Sequence, residues 1–562
     1  MEKLPLKYMK IKTFIKKNWI LIIFILIGSF LRLWKLSSIP PQLTTDEVAL
    51  GYNAYSILKT GKDEYGKVLP LIFQSYGDYK PGLYIYFTIP FVAIFGLNEF
   101  STRLPSALGG ILTILLVYLI VKKLFKNNKL ALISSLVTAI NPWLIFFSRG
   151  AWEANFSLTL TLLGIYFFLL FLEKPKYLIF SAFFFALTLL TYQGAKLSSL
   201  LVLISLFVAF YKKEWFKEKK YLVVSFLVGL VVSLPIILSM FQGKTGRLAV
   251  FSVFSYPRPK EYLEAQLNQG NEKKGDLNYY LFHSEAYNFV RGVFGRYFNN
   301  FSGKYLFFEG DYQNQRHSSP YQGQMLIAEI IFLVIGIFSI IKNEDNKSKI
   351  FVIFWLFLAP LSASLSRDQV SAVRTINFAI PLVILVSFGI NYLINLKGKY
   401  SKLIVCVFGI FYLASFYYYL DSYFIHLPKN NDQFIYNHYK ELVEEIAPIK
   451  DNFSLIEFQQ SYAQPYMYFL FYSKYDPVKY QKENSFIQSN FGDVGLVEKL
   501  DNIKFVNTVY MDYFPDVRPL LLVGNAIAFP EEKILSNEGV NIIKKIKYLD
   551  GSPAYYIVEV KE

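Results

Sequence analysis

Repeated apolar runs constrain the fold of this chain more than any other feature of its sequence. The hydrocarbon core of a bilayer is about 30 Å thick, and a helix needs about 20 mostly apolar residues to cross it. Runs of this kind recur through the first three quarters of the chain, and hydrophobic residues make up 54% of its 562 positions. An ordinary soluble domain is less apolar than this. The sequence therefore predicts a polytopic α-helical membrane protein.

Basic residues lie mainly in the short loops between the apolar runs, and the net charge is +16. In those loops they indicate topology, because cytoplasmic loops carry an excess of Lys and Arg; no nucleic-acid partner is predicted. The lysine-rich segment 1–18 is expected in the cytoplasm. The first run follows Lys16 and Lys17 and lacks a small-residue cleavage site, which favours a retained helix over a signal peptide. The single cysteine, Cys406, excludes an intrachain disulfide.

The apolar run Gly82–Leu97 is ambiguous. If it crossed the membrane, the lysine-rich loop after residue 121 would lie outside, against the positive-inside rule. If it lies in the interface or dips into the bilayer, every later loop falls on the expected side. Pro81, Pro90 and Gly96 also make it a poor span. The non-spanning interpretation gives about eleven spans, with interfacial helices in the first outer loop.

The predicted spans alternate in direction, so that the N-terminus is cytoplasmic and the chain leaves the last span on the outer side of a cell membrane. They are Trp19–Leu36, Leu104–Val121, Leu130–Phe147, Phe156–Leu172, Tyr177–Thr191, Leu197–Phe210, Tyr221–Met240, Met325–Ile341, Ile350–Leu365, Thr375–Leu396 and Leu403–Leu420.

Residues from Asp421 onward no longer have a membrane-like composition. Asp432–Ile446 has the pattern of an amphipathic helix. Alternating and β-branched patterns predict strands at Phe453–Phe458, Lys504–Tyr510, Leu520–Phe529 and Ala554–Val560. The sequence thus predicts two domains, a transmembrane domain at 1–420 and a small extracytoplasmic α/β domain at 421–562. The tyrosine-rich segment Tyr462–Tyr475 either binds sugar or forms core, and core is favoured.

Two adjacent carboxylates follow the first span, in the stretch Ile39–Glu47. Its prolines stop the preceding helix, and Thr44 or Thr45 is expected to cap a new one. Asp46 and Glu47 then lie in the first turn of that helix, where acids are favoured.

With this topology, charged and polar residues from distant parts of the chain collect at the outer membrane boundary. They are Asp46, Glu47, Tyr79–Gly82, Arg103–Ser106, Arg149, Glu153, Gln193, Lys196, Gly310, Asp311, Arg316, His317, Arg367 and Arg374.

Each of these residues also has a purely structural explanation. Arg149 and Glu153 are four residues apart and could form a helix-surface pair. Lys80 and Arg103 could extend to lipid headgroups. Arg367 and Arg374 could be lipid-facing anchors. His317 has no second His or Cys at ligand spacing, so a surface position is favoured over metal binding. The convergence of acids and cations on one boundary is what favours a functional site.

Four motifs follow one another in the N-terminal part of the chain. They are Pro40-Pro41-x-x-x-x-Asp46-Glu47, Tyr79-Lys80-Pro81-Gly82-Leu83-Tyr84, Phe95-Gly96-x-Asn98-Glu99-Phe100-x-x-Arg103-Leu104-Pro105-Ser106 and Asn141-Pro142-Trp143-x-x-x-Phe147-Ser148-Arg149. Together they resemble the N-terminal half of GT-C fold glycosyltransferases, in the superfamily of protein O-mannosyltransferases and lipid A aminoarabinose transferases (glycosyltransferase family 39-like). The resemblance is strongest over residues 19–160 and extends more loosely through Gly310-Asp311 and Ser366–Arg374.

This resemblance implies an extracytoplasmic active site and a sugar donor linked to a polyprenyl phosphate. By position, Asp46 matches the principal catalytic acid of the superfamily, and Lys80 matches a lysine that contacts the lipid phosphate in aminoarabinose transferases. Glu153 falls where a second acid is found, although Asp is common there. Gly82 replaces the second proline after the lysine. The Trp-Trp-Asp signature of oligosaccharyltransferases is absent, which argues against transfer of a whole oligosaccharide to asparagine.

The expected chemistry needs a base and a group that stabilises the leaving phosphate. An acceptor hydroxyl loses its proton as it attacks the anomeric carbon, so a carboxylate must lie within hydrogen-bond reach. Asp46 is the predicted base, with Glu47 or Glu153 orienting it or the acceptor. The predicted substrate-binding residues are Lys80, Arg103, Arg149, Asp311, Arg316, Arg367 and Arg374, of which Lys80, Arg367 and Arg374 are candidates for the phosphate. A divalent metal beside the paired acids is compatible with this mechanism but is not required by it.

The predicted function is transfer of a single sugar from a polyprenyl-phosphate donor to a hydroxyl of a protein, a lipid or an envelope glycan. One direct displacement would invert the anomeric configuration. The alternatives are a transporter or lipid-handling protein and a non-catalytic relative that binds glycans or partners. Transporters tend to carry charged residues at mid-membrane depth in paired inverted halves, and neither feature is evident in this sequence.

Overall fold

The computed structural model of the chain describes residues 6–244, 252–342, 345–430, 438–460, 464–483, 486–488, 495–507, 509 and 515–561. The helices are α1 (Leu6–Leu33), α2 (Thr45–Thr60), α3 (Leu83–Phe95), α4 (Glu99–Phe125), α5 (Asn128–Ile140), α6 (Pro142–Ser148), α7 (Glu153–Phe171), α8 (Tyr177–Leu189), α9 (Ala195–Phe210), α10 (Lys219–Phe241), α11 (Lys260–Gln269), α12 (Glu285–Asn299), α13 (Glu329–Ile341), α14 (Asn346–Leu358), α15 (Leu361–Ser364), α16 (Ala379–Ile394), α17 (Ser401–Asp421), α18 (Tyr439–Ile446), α19 (Pro465–Tyr472), α20 (Pro477–Glu483) and α21 (Glu531–Leu535). The strands are β1 (Ile72–Ser75), β2 (Asp78–Pro81), β3 (Leu455–Gln459), β4 (Phe486–Gln488), β5 (Gly495–Val497), β6 (Lys499–Leu500), β7 (Ile503–Val506), β8 (Leu520–Asn525), β9 (Val540–Lys547) and β10 (Pro553–Val560).

The contacts of the chain divide it into two compact units. Unit 1 comprises Met1–Trp34, Ser106–Phe241 and Leu248–Ile425, and unit 2 comprises Lys35–Pro105, Gln242–Arg247 and His426–Glu562. The segment that follows the first helix therefore forms one unit with the C-terminal part of the chain. The boundary between domains at 1–420 and 421–562 stays a prediction.

Within the described residues, six helical segments are long and apolar enough to cross a membrane. They are α4, α7, α10, Asn346–Ser364, Ile376–Ile394 and Ser401–Lys429. The bent pair α5 and α6 makes a seventh if it is one span, and α3, α8, α9 and α13 are shorter apolar helices. Each predicted span falls on a helix or a helix pair. The predicted helical membrane architecture is confirmed at this level, and the number of crossings stays a prediction.

A bend of 56° separates α5 from α6. The sequence predicted one span there, Leu130–Phe147, and the structure divides this stretch into two helices. Asn141 leaves the helical conformation, and its side chain accepts a hydrogen bond from the Leu144 N–H at 3.1 Å. Pro142 occupies the first turn of α6, where it is tolerated because its missing N–H would have no intrahelical partner. The Asn-Pro pair thus ends one helix and starts another.

Helices α13 and α16 of unit 1 approach each other at two glycines. A Cβ atom on Gly336 would lie 1.9 Å from the Leu385 carbonyl oxygen, and one on Gly389 would lie 1.9 Å from the Phe332 carbonyl oxygen. Small residues at such crossings let two helix backbones pack closely inside a membrane.

The C-terminal part of unit 2 contains a six-stranded sheet in the order β6-β7-β3-β8-β10-β9. Strand β3 is parallel to β7 and β8, whereas β10 is antiparallel to β8 and β9. The predicted strands are confirmed as β3, β7, β8 and β10, although Tyr510 lies outside the described residues. The helix predicted at Asp432–Ile446 is observed as α18, and residues 432–437 lie outside the described part. The α/β architecture is therefore confirmed, and the sequence missed β6 and β9 of this sheet.

Candidate functional site

The N-terminus of α2 is held by a reciprocal capping box. Thr44 is the N-cap, and its hydroxyl accepts a hydrogen bond from the Glu47 N–H at 3.4 Å. The Glu47 carboxylate accepts one from the Thr44 N–H at 2.8 Å. Both bonds satisfy backbone donors that a helix start leaves open. The cap fixes Asp46 in the first turn, as the sequence predicted.

Arg103 on α4 fixes the loop that precedes this helix. Its Nε lies 3.1 Å from Glu47 Oε1, and neither side chain is appreciably exposed. The remaining guanidinium nitrogens donate to the carbonyl oxygens of Leu36, Pro40 and Gln42 at 2.6–3.0 Å. A buried guanidinium with a carboxylate partner and three carbonyl acceptors organises the loop. Glu47 and Arg103 therefore position the site, and their predicted catalytic and substrate-binding roles stay predictions.

Asp46 forms an ion pair with Lys80, which lies on the second strand of the hairpin β1–β2. The Asp46 side chain is 38% exposed, and that of Lys80 is 13% exposed. The pair is thus accessible from one side while Glu47 is buried. Phe73 is paired with Lys80 across the hairpin. A Cβ atom on Gly82 would lie 1.9 Å from the Phe73 ring, so a side chain at this position requires the ring to move.

A second carboxyl group packs against α2, and the sequence analysis missed it. Glu64 is completely buried, its Oε1 accepts a hydrogen bond from Asn53 Nδ2 at 3.1 Å, and its N–H donates to Asn53 Oδ1 at 3.0 Å. Burial raises the pKa of the Glu64 carboxyl to about 8. The effect of burial is larger than the opposing effects of the Asn53 hydrogen bond and of the Lys80 charge, which lower this pKa. Asp63-Glu64, just after Gly61, was the available signal: a second acid pair close behind a helix end.

The C-terminal part of unit 2 packs on the same helix. Tyr468 on α19 donates a hydrogen bond to the Leu43 carbonyl at 3.0 Å, and Tyr52 on α2 donates to the Tyr475 carbonyl at 3.1 Å. Lys440 on α18 forms an ion pair with Glu99 at 2.6 Å. Tyr466 and Tyr468 are completely buried. The core interpretation of the tyrosine-rich segment is confirmed for Tyr466 and Tyr468, whereas Tyr472 and Tyr475 are partly exposed and residues 461–463 lie outside the described part.

Asp311 in unit 1 is buried and ties two loops together. One of its carboxylate oxygens lies 3.0 Å from His317 Nδ1 and accepts a hydrogen bond from the Ala372 N–H at 2.8 Å. Its other oxygen accepts one from the Asn314 N–H at 3.0 Å. Both carboxylate oxygens are thus engaged by protein groups that connect the two loops, and the predicted substrate-binding role of Asp311 stays a prediction. His317 stacks edge-on against the Trp152 ring.

Arg149 also lies in unit 1, where it is completely buried at the end of α6. Its guanidinium donates to the carbonyl oxygens of Leu31 and Trp34 at 2.7 and 2.8 Å, and lies over the Tyr423 and Phe424 rings. Arg149 follows the end of α6 and Glu153 is the first residue of α7, so the two residues do not lie on the surface of one helix. Glu153 is partly exposed at the start of α7.

The remaining arginines predicted to bind substrate lie in two loops of unit 1. Arg316 is partly exposed and donates to Asn314 Oδ1 at 3.3 Å. Arg367 is 45% exposed and donates to the Tyr256 hydroxyl at 3.0 Å. Arg374 forms an ion pair with Asp368. Arg367 is the most exposed of the three, and the roles of all three stay predictions.

The structure therefore brings Asp46, Glu47, Lys80 and Arg103 together in unit 2, and places the other predicted residues in unit 1. Over the described ranges, no three His, Cys, Asp or Glu side chains are grouped as metal ligands.

Comparison with known proteins identifies the fold. Residues 79–238 match the family model for dolichyl-phosphate-mannose-protein mannosyltransferase. ArnT from Cupriavidus metallidurans matches in the apo state with a TM-score of 0.54 at 12% identity, over 97% of this chain and 98% of ArnT. ArnT bound to undecaprenyl phosphate matches with a TM-score of 0.53 at 11% identity, over 96% and 98%. The archaeal oligosaccharyltransferase AglB from Archaeoglobus fulgidus, in complex with an inhibitory peptide and a dolichol-phosphate, has a TM-score of 0.49 at 14% identity, over 76% and 58%. No curated protein sequence matches the chain.

The fold places the chain in a class of multi-pass membrane proteins, the GT-C class, since ArnT is similar over nearly the whole length of both chains. Within that class, the matching family model covers β2 through most of α10 and is a mannosyltransferase model. The resemblance to the GT-C fold that the sequence predicted is confirmed.

Proposed function

We propose that this chain is a membrane glycosyltransferase that moves a single sugar from a polyprenyl-phosphate donor to an acceptor hydroxyl at the outer face of the membrane. The observation that carries the proposal is the accessible ion pair of Asp46 and Lys80, on a helix start that buried Glu47 and Arg103 hold in place. The undecaprenyl phosphate in ArnT and the mannosyltransferase family model support this choice of donor. Protein, lipid and envelope-glycan hydroxyls are the acceptor classes.

Asp46 is the general base in this proposal. Its carboxylate is the partly exposed acid of the adjacent pair, whereas Glu47 is engaged on both oxygens by the helix cap and by Arg103. A base must reach the acceptor proton directly, and Asp46 is the member of the pair that can do so.

Lys80 serves as the cation for the lipid phosphate. A lysine about 4 Å from a phosphate oxygen contributes on the order of 4 kcal/mol at an effective dielectric of about 20, before desolvation is counted. Lys80 is paired with Asp46 in the structure. A bound phosphate competes for the Lys80 ammonium, which weakens its hold on Asp46 and leaves that carboxylate able to accept a proton.

The proposed step is a single displacement. The acceptor oxygen forms a bond to the anomeric carbon and gives its proton to Asp46. The bond from that carbon to the phosphate oxygen breaks, and its electron pair leaves with the lipid phosphate near Lys80. The transition state has oxocarbenium character, as in glycoside hydrolysis. The anomeric configuration is inverted because the acceptor attacks the anomeric carbon once, from the face opposite the leaving phosphate.

The membrane placement follows from the charges of the loops. In this proposal the N-terminus is cytoplasmic, about eleven spans cross a cell membrane, and the first outer loop and residues 421–562 are extracytoplasmic. Asp46 and Lys80 then meet the donor headgroup on the outer side.

The test is turnover of polyprenyl-phosphate sugars by the purified full chain in detergent, scored as release of free lipid phosphate. We expect wild type to release it, and Asp46→Asn to release it on the order of 10² to 10⁴ times more slowly. Asp276→Asn is the matched control, because Asp276 lies in an exposed turn and accepts a bond from the Lys273 N–H.

Equal release by wild type and Asp46→Asn would assign the base to another acid. Absence of release by wild type with every candidate acceptor, together with sugar or lipid flux in vesicles that survives Asp46→Asn, would replace the enzyme with a transporter.

A further inference from the structure

The loop that follows α2 and runs back along it positions Lys80. After the helix ends at Thr60, a loop runs back beside it and leads into the hairpin that carries Lys80. Ser56 holds the near end of this loop by donating to the Lys62 carbonyl at 2.8 Å. Tyr76, at the hairpin turn, donates to the Thr45 carbonyl at 2.7 Å. Between these two attachments lies the pair of Asn53 and Glu64.

Asn53 and Asp46 are seven residues apart on α2, so they lie on one face of the helix about 10 Å from each other along its axis. Asn53 makes two hydrogen bonds to Glu64, one to its carboxyl and one to its backbone. The pair therefore attaches the loop to the same helix face that carries Asp46.

The surroundings of Glu64 favour its neutral form. It is completely buried, and the described part of the chain places no Lys or Arg in an ion pair with it. Among the described residues, its Oε2 finds no hydrogen-bond partner of normal geometry, and neither do the hydroxyls of Tyr65, Tyr466 and Tyr480. The titratable or charged groups that face it are Tyr52, Asp63, Tyr65, Tyr76, Lys80, Tyr466 and Tyr480.

We propose that Glu64, attached to α2 by Asn53 and kept neutral by its burial, is a positioning residue that keeps Lys80 opposite Asp46. An ionised Glu64 would be a buried carboxylate without a cation, which is costly. The loop would then open to water, or Lys80 would be drawn toward Glu64, and either change moves Lys80 away from Asp46. The effect of Glu64 on turnover rests on the proposed function, whereas its effect on the position of Lys80 does not.

The experiment compares wild type, Glu64→Gln, Glu64→Ala and Ser56→Ala as full chains in detergent. The first readout is binding of a C55 polyprenyl phosphate from pH 6 to 9, and the second is amide exchange of the hairpin at Lys80. Gln mimics the neutral acid and can accept from Asn53, whereas Ala removes the side-chain hydrogen bond and leaves the one donated by the backbone N–H of residue 64. Ser56→Ala removes a neighbouring attachment of the same loop without touching a titratable group.

We expect Glu64→Gln to bind like wild type near pH 6.5 and to keep its affinity at pH 9, where wild type loses affinity. Glu64→Ala should bind about ten-fold more weakly at each pH, the effect of losing one buried hydrogen-bonded contact, with faster exchange at Lys80. Ser56→Ala should keep the wild-type pH profile.

Three outcomes would overturn the inference. They are loss of binding in Glu64→Gln at pH 6.5, an alkaline decline shared by wild type and Glu64→Gln, and folded Glu64→Ala that binds and exchanges like wild type. Absence of lipid-phosphate binding by wild type would overturn it as well. If binding follows the expected pattern and no sugar is transferred, the proposed function fails while the inference holds.

Discussion

At the scale of single residues, two adjacent acids of similar sequence context have different environments. Asp46 is accessible and faces Lys80, whereas Glu47 is buried and fixed by Thr44 and Arg103. Their order along the chain does not distinguish them. The difference arises because the third residue of a capped helix turns back toward its cap, and this turn places Glu47 inside and leaves Asp46 outside.

Arg103→Met is expected to destabilise the protein by roughly 3–5 kcal/mol, the cost of breaking a buried ion pair by removing one partner. It would leave the Glu47 carboxylate buried without its cation and three carbonyl groups without their donors. The measurement is the free energy of unfolding, or the melting temperature, of the purified chain in detergent.

The control for this variant is Arg291→Met, on the exposed face of α12, where surface substitutions usually change stability by about 0.5 kcal/mol or less. The double variant Glu47→Gln/Arg103→Met should recover part of the loss, because it no longer buries an unpaired charge. Similar melting of Arg103→Met and Arg291→Met would contradict the scaffolding role of Arg103.

At the scale of elements, the positions of helices were predictable and their breaks were not. Apolar runs predicted the membrane helices because an apolar run long enough to cross a bilayer is compatible with few structures other than a helix. The bend at Asn141 and the hairpin β1–β2 depend on a cap and on a short pairing that periodicity does not register. Asp46 and Lys80 were found through motifs. Glu64 was missed because it is buried partly by tyrosines of helices that are distant in sequence, and the sequence pattern does not show this burial.

Gly389→Ala is expected to destabilise the crossing of α13 and α16. Its new Cβ would lie 1.9 Å from the Phe332 carbonyl oxygen, so the helices must separate, and overpacking of this kind costs about 1–3 kcal/mol. The measurement is the melting temperature in detergent, which should fall.

Gly409→Ala on α17 is the matched control for this substitution. A Cβ there has nothing within 4 Å, and Ala favours a helix interior over Gly by about 1 kcal/mol. Its melting temperature should therefore stay level or rise. A fall of equal size in both variants would indicate a general effect of substituting membrane glycines rather than a close helix crossing.

At the scale of the whole molecule, the proposed reaction requires that Asp46 and Lys80 lie on the side of the membrane where the donor headgroup is presented. The loop charges predict that side to be the outer one. Cys406 is the only cysteine of the chain, so a Cys406→Ser background allows single cysteines to report topology. Suitable exposed positions are Val68 in the predicted first outer loop, Ile527 in the C-terminal sheet domain and Lys213 in a predicted inner loop.

In intact cells, a membrane-impermeant maleimide should label Val68→Cys and Ile527→Cys, and should label Lys213→Cys only after the membrane is permeabilised. The side of the membrane on which Val68 lies depends on the first span alone, whereas the side on which Ile527 lies depends on the total number of spans. Labelling of Val68→Cys but not Ile527→Cys would mean an even number of spans, and Gly82–Leu97 would become the first candidate for the additional crossing. Labelling of Lys213→Cys in intact cells with protection of Val68→Cys would invert the topology and remove Asp46 from the outer face.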